Sequence, residues 1–396
     1  MKKALFSIAI LSLIVLSCRK AQIIETRSIG MNIPWADSSN SHPKSASYKA
    51  LLEKYRQKGM PGISLLITDN HGTWVGATGK ADISNKIDFV PGTVSKVASI
   101  TKLFMGTLIF KMMEDSVNTG MGYLALNKKI SDWLPASVTG HLANGNQITL
   151  GQCLKHETGI PDLIEEDRFY LAVLNNPNKK WEAEELLSFI YDKAPLFAAG
   201  DTAVYSNTNT VLVTMIMEAQ TGKKHVDLLK QYILNPLGLT HTYYQPHDLL
   251  PNTVAQGYFD LYNNHSIVNV SNLVTGSGNG YGGIYSNLFD LNKFADALLI
   301  KRTLLKPSSM NIMLTFGKQD DTNLYGYGIQ KSFLTRGIDA GIGHKGRDLG
   351  YTANLFYFPN KGVLHIFFIN YGTDAESELK DVFRQFQEEL VTISLN

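Results

Sequence analysis

Apolar residues change their spacing along this chain, and each change marks a different kind of structure. Residues 48–58 carry apolar side chains at helical spacing. Residues 62–68 (Gly-Ile-Ser-Leu-Leu-Ile-Thr) form a β-rich run that ends at the turn Asp69-Asn-His-Gly72, and 73–78 resume it, so the pair predicts a hairpin. The far end has the same character. Residues 351–358 and 363–369 are aromatic and β-branched and are joined by Pro359-Asn-Lys-Gly362. Residues 374–393 then place Leu379, Val382, Phe383, Phe386 and Leu390 at helical spacing. The middle differs: 99–113, 183–191 and 209–220 read as helices separated by long Gly- and Pro-bearing loops. Strands at both ends with helices between predict an α+β fold. One antiparallel sheet is built from both chain ends and flanked by helices, a mainly helical region is inserted into it, and a cleft lies where the two parts meet.

The first 18 residues, MKKALFSIAILSLIVLSC, follow another pattern. Lys2 and Lys3 precede an apolar run over 4–16 that is broken only by Ser7 and Ser12. That is shorter than the roughly 20 residues needed to span a bilayer, and it fits a secretory signal. The run ends in Val15-Leu16-Ser17-Cys18, which resembles the bacterial lipobox, where cleavage precedes a cysteine carrying diacylglycerol. Residues 1–17 are therefore expected to be a lipoprotein signal peptide and Cys18 the lipid attachment point. Residues 18–47, polar and bearing Pro34 and Pro43, are expected to be a tether, and 48–396 the folded body. Each buried lipid methylene contributes about 0.8 kcal/mol, so two or three chains hold a protein at a membrane. The expected address is the cell envelope, outside the cytoplasm.

Composition narrows the partners. The chain has 396 residues, 44% hydrophobic and 18% charged, which supports a large core and excludes a disordered protein. A net charge of +2 without long Lys/Arg runs speaks against a nucleic-acid partner. The second cysteine, Cys153, has no metal-ligand spacing around it and reads as a buried structural thiol.

Candidate chemistry starts at Ser99-Ile-Thr-Lys102. Residues three apart share a helix face, so Lys102 can reach the Ser99 hydroxyl, and a lysine whose pKa is lowered by burial can take its proton. Ser-x-x-Lys occurs four times, starting at Ser17, Ser41, Ser99 and Ser377, but only Ser99 opens a helix that is apolar almost all round. Tyr-x-Asn occurs three times, at Tyr205, Tyr262 and Tyr285. Tyr205-Ser-Asn207 lies on a turn that runs into a helix, where a phenol beside Lys102 can be lowered toward ionisation and move protons. Asn207 can hold a substrate carbonyl or amide. In Gly343-His-Lys-Gly346, just before the C-terminal strands, His344 brings a donor to the cleft edge and Gly346 permits close approach of substrate to the backbone.

Ser-x-x-Lys, Tyr-x-Asn and His-x-Gly in this order resemble the serine β-lactamase and penicillin-binding superfamily. The match is closest to its class C β-lactamase-like branch of D-alanyl-D-alanine carboxypeptidases, β-lactamases and related esterases. It covers residues 48–393 and extends to His156-Glu-Thr-Gly-Ile-Pro-Asp162, Asn235-Pro-Leu-Gly238 and Gly350-Tyr-Thr-Ala-Asn354. The resemblance implies a β-lactamase/transpeptidase-like fold and a cofactor-free, metal-independent serine hydrolase. Its substrate would be a small peptide of the D-Ala-D-Ala kind, a β-lactam or an ester. Ser99 would carry the acyl group, Lys102 would deprotonate it, Tyr205 would shuttle the proton and Asn207 would bind the acyl side chain. The backbone N–H groups of Ser99 and Arg347 would form the oxyanion hole. His344 would stand near Tyr205 and the substrate carboxylate. Lys345 departs from the small hydroxyl residue usual in relatives, which puts standard carboxylate recognition in question. A carboxylic-ester or small-amide hydrolase and a non-catalytic penicillin-binding or sensing protein are the competing readings.

Other motifs fall away. His156-Glu157 begins like a zinc-protease motif, but Ile160 stands where the second histidine is needed, and the stretch reads as a structural loop. Gly-x-Ser-x-Gly and the phosphate-binding loop motif do not occur.

Overall fold

The computed structural model describes residues 39–318, 322–374 and 377–396. The signal peptide, Cys18 and most of the expected tether lie outside the described residues. The folded body starts earlier than Tyr48. Helix α1 spans Ser45–Gln57, the Ser39 hydroxyl pairs with the backbone of Val75, and His42 Nε2 lies 3.2 Å from Asp69.

The main sheet has eight antiparallel strands, numbered here in chain order. They are β1 (Gly62–Asp69), β2 (Gly72–Asp82), β3 (Ile87–Asp88), β4 (Leu324–Tyr325), β5 (Gln330–Ser332), β6 (Gly341–Asp348), β7 (Tyr351–Phe358) and β8 (Val363–Ile369), in spatial order β3-β2-β1-β8-β7-β6-β5-β4. The two chain ends meet at the β1–β8 pair, where Ile63 faces Ile369 and Ile67 faces His365. The α+β architecture expected from the sequence is therefore the one observed. Strands β4 and β5 and the full length of β6 were not expected. They are short, or interrupted by glycine and charged residues, and carry little apolar alternation.

Both faces of the central strands are buried, which is why they read as nearly continuous apolar runs. Ile63, Leu65 and Ile67 point to a core shared with α1 and the last helix, α4 (Leu379–Leu395). Leu66, Ile366 and Phe368 point the other way, to a larger core under the helical region. At the centre of that second core runs α2 (Thr101–Glu114), with only Lys111 and Glu114 not fully buried. Phe104 stacks on Phe294 at 3.8 Å between ring centres. Helix α3 (Asn207–Thr221) packs against α2 and ends at Gly222, which adopts a positive φ of 67°. The helix expected over 183–191 is shorter, Ala183–Leu187. Cys153 is buried, as expected, and burial pushes its thiol up to about 12, so it is inert. Among the described residues no helix is long and apolar enough to cross a membrane.

Candidate active site

Ser99 sits on a kink rather than at the start of a regular helix. Ala98 adopts a positive φ of 48°, and a 3-10 turn over Ala98–Ile100 then feeds into α2. A non-glycine residue in this region costs of order 1 kcal/mol, so the surrounding structure must hold it. Three contacts do so. Val97 N–H donates to the Ile284 carbonyl at 2.9 Å. Buried Lys96 and half-buried Asp348 form an ion pair at 2.6 Å. Strand β6 lies against the segment so closely that a Cβ on Gly346 would stand 2.1 Å from the Val97 carbonyl oxygen. The bare backbone of Gly346 therefore serves the packing of β6 against the serine's own segment, and Gly346 is not among the residues lining the pocket.

Lys102 lies one turn into α2, buried, and its ammonium has three neighbours. Nζ is 3.1 Å from Ser99 Oγ, 2.6 Å from Asn207 Oδ1 and 2.8 Å from the Tyr281 carbonyl oxygen. The last two are pure acceptors and take N–H donors whatever the charge of the lysine. In the neutral amine the remaining direction, toward Ser99, carries the lone pair. Burial pulls Lys102 down to about 7, against the opposing pull of the Asp162 and Asp348 carboxylates. The amine is thus held with one direction left for the Ser99 hydroxyl.

Tyr205 hydrogen-bonds to Ser99, and its ring centre lies 4.9 Å from Lys102 Nζ. The expected lowering of this phenol toward ionisation is reversed. Burial raises it well above its ordinary value, so the resting group is a neutral hydroxyl that donates and accepts. The sequence pattern suggested a neighbouring cation but could not show how dry the site is. His156 orients the ring from 4.6 Å away, itself at a positive φ of 57°. Its Nδ1 accepts from the Ser206 N–H at 3.2 Å. The histidine stretch is structural, as expected, and its structural job is to set Tyr205.

The third motif lies within β6 rather than ahead of the strands. Alternation along β6 puts His344 and Gly346 on the serine side and Lys345 and Arg347 on the side of α4. His344 is buried 6.3 Å from Tyr205, and its Nδ1–H donates to the Lys345 carbonyl. Burial drives its pKa well below the ordinary value, so it is neutral, with Nε2 left as an acceptor. It therefore brings no positive charge for a substrate carboxylate. The Arg347 guanidinium is tied down: Nη1 donates to the Gly346 and Ala353 carbonyls and to Asn354, and the group lies 4.5 Å over the Phe383 ring. Strand β5 pairs with β6 only as far as Gly343, and the Lys345 N–H donates to the Gln330 side chain on that side. Alternate N–H groups of a strand share an edge, so the Arg347 N–H points to the same edge, which beyond Gly343 faces the pocket.

The pocket holds about 760 Å³ including its open mouth. Ser99, Tyr205, Asn207, Lys345, Arg347, Ile164, Tyr170 and Tyr281 are among the residues that line it. Asp162 reaches it as well, where its carboxylate accepts from Asn207 Nδ2 at 2.8 Å. The sequence reading did not single out Asp162. The one signal was its place as the acid closing the His156–Asp162 stretch. The trio Asp260, His265 and Glu378 brings metal-capable atoms within 4.8 Å of one another elsewhere on the chain, and none of the three lines the pocket.

Comparison with known proteins bears on the family and the fold. Protein flp of Staphylococcus aureus (strain MW2) is 28% identical over 211 residues, which is 52% of this chain and 40% of that protein, so the match spans less than half of the relative. The crystal structure of a D-stereospecific amidohydrolase from Streptomyces sp. aligns with a TM-score of 0.73 at 26% identity, covering 83% of this chain and 95% of the other. D-amino acid amidase from Ochrobactrum anthropi SV3, complexed with L-phenylalanine amide, has the same fold, with a TM-score of 0.74 at 23% identity over 88% of this chain and 96% of the other. A family model described as Beta-lactamase matches residues 48–388, from α1 into the last helix and across all three motifs, and the chain belongs to the Beta-lactamase family.

Proposed function

We propose that this protein is a serine hydrolase that cleaves amide bonds in small peptides or amino-acid amides through an acyl-enzyme on Ser99. The observation that carries the proposal is the buried Lys102 amine, 3.1 Å from Ser99 Oγ, with its two other hydrogen bonds fixed on Asn207 Oδ1 and the Tyr281 carbonyl. In this mechanism neutral Lys102 takes the Ser99 proton as Oγ attacks the substrate carbonyl carbon. The backbone N–H groups of Ser99 and Arg347 stabilise the oxyanion. The proton passes through the Tyr205 hydroxyl to the leaving nitrogen, the C–N bond breaks and the amine departs. Water then attacks the acyl carbon, giving its proton to the Tyr205–Lys102 pair; the Ser99 Oγ–C bond breaks, Oγ takes that proton back and the acid is released. Asn207 holds the acyl side. The amidohydrolase among the structural relatives supports an amide substrate. The departure at Lys345, where relatives carry a small hydroxyl, supports a carboxylic ester or small amide over a D-Ala-D-Ala peptide or β-lactam as a second reading.

A panel of amino-acid amides, D-Ala-D-Ala peptides, penicillin and p-nitrophenyl esters, run on the wild type and on Ser99→Ala, tests the proposal. The expected result is turnover of an amide or ester that falls at least about 10⁴-fold in Ser99→Ala. Equal turnover in both proteins contradicts it.

The proposal includes an envelope address, with the enzyme held to the membrane through lipid on Cys18. Cys18→Ser is expected to move the protein from the membrane to the soluble fraction of cells. Unchanged membrane association of that variant argues against the anchor.

A further inference from the structure

We propose that Asp162 is a positioning residue for the Ser99–Lys102 pair, acting through Asn207 by fixing which end of its amide faces the lysine. This rests on the reading of Ser99 as nucleophile. The geometry is a chain of three groups. Asp162 Oδ2 accepts from Asn207 Nδ2 at 2.8 Å, and Asn207 Oδ1 accepts from Lys102 Nζ at 2.6 Å. An amide has a donor end and an acceptor end. With a carboxylate at one end and an N–H donor at the other, only one orientation is satisfied. The flipped amide would set N–H against N–H and oxygen against carboxylate, and Asn207 and Lys102 are buried, where unpaired polar groups are costly.

Asp162 is itself held in place. Its carboxylate accepts the Ile164 N–H at 3.3 Å and the backbone N–H of Asn207, the first residue of α3. It therefore closes the start of α3 from a segment 45 residues away in sequence. The same carboxylate acts on the lysine through its charge. Facing Lys102 are the carboxylates of Asp162 and Asp348, neutral His344 and the rings of Tyr205 and Tyr281. Asp348 is matched by Lys96. Asp162 favours protonated Lys102, so its removal lets the lysine lose its proton at lower pH.

The test follows the rate at which a fluorophosphonate labels Ser99, across pH, in the full chain. Asp162→Asn and Asp162→Ser both keep a side chain able to close the helix start but remove the charge. Both are expected to label about 10-fold more slowly at the plateau, with the acidic limb of the profile moved down by at least about half a pH unit. Asp162→Glu, which keeps the charge, is expected to hold the limb near the wild-type position. A slower plateau with an unmoved limb in the two neutral variants overturns the inference and leaves Asp162 a helix cap alone. An unlabelled wild type overturns the parent reading and this inference with it.

Discussion

Lys102→Met is expected to slow acylation of Ser99 by about 10²- to 10⁴-fold, the range over which a positioned general base acts. The loss should fall on chemistry and not on folding. A buried lysine with a lowered pKa carries an uncompensated desolvation cost, and a methionine of similar length removes it. Against that, the Asn207 side-chain oxygen and the Tyr281 carbonyl lose their donor, so the two changes oppose each other. Thermal unfolding followed by circular dichroism is expected to shift by no more than about 5 °C. The pH profile carries the sign of the argument. The wild-type rate should rise with pH through a limb near 7, as Lys102 gives up its proton. The methionine variant should lose that limb. An acylation rate within 10-fold of wild type, with the limb retained, would remove Lys102 from the mechanism.

Gly346→Ala is expected to damage fold and activity together. The new Cβ would stand 2.1 Å from the Val97 oxygen, a backbone atom with no rotamer to retreat into. Strand β6 and the segment bearing Ser99 must then separate by a substantial fraction of an ångström. Overpacking of this kind costs about 1–3 kcal/mol. The same displacement parts the Arg347 N–H from the Ser99 N–H, and loss of one oxyanion donor costs about 10²- to 10³-fold in rate. Paired measurement of the unfolding midpoint and of turnover checks both. A fully active variant would mean that β6 is free to move away from Val97 without disturbing the site.

What the sequence made legible and what it hid divide along physical lines. The sheet built from both chain ends could be read because β1, β7 and β8 are buried on both faces and leave long apolar runs. Strands β4 and β5 could not, being two and three residues long. Helix α2 could be read from its apolar sequence, yet its start could not: the kink at Ala98 is held by β6 and by the Ile284 backbone, not by local residues. Ser99, Lys102, Tyr205 and Asn207 converge as the motif order implied. The charge states did not follow from the motifs. Tyr205 rises and His344 stays neutral because the surrounding fold desolvates both, and desolvation is a property of the assembled fold. Asp162 and the Lys96–Asp348 pair were hidden for another reason: their partners are distant in sequence, and no spacing rule connects them.

The measurement that bears most directly on the central claim is mass spectrometry of the protein trapped with an activated acyl or phosphonyl reagent, followed by peptide mapping across pH. The expected result is one adduct, on Ser99, formed at a rate that rises through a limb near pH 7 and lost in Ser99→Ala. An adduct on another residue, or labelling of Ser99 that ignores pH between 5 and 9, would contradict a lysine-activated serine at this site.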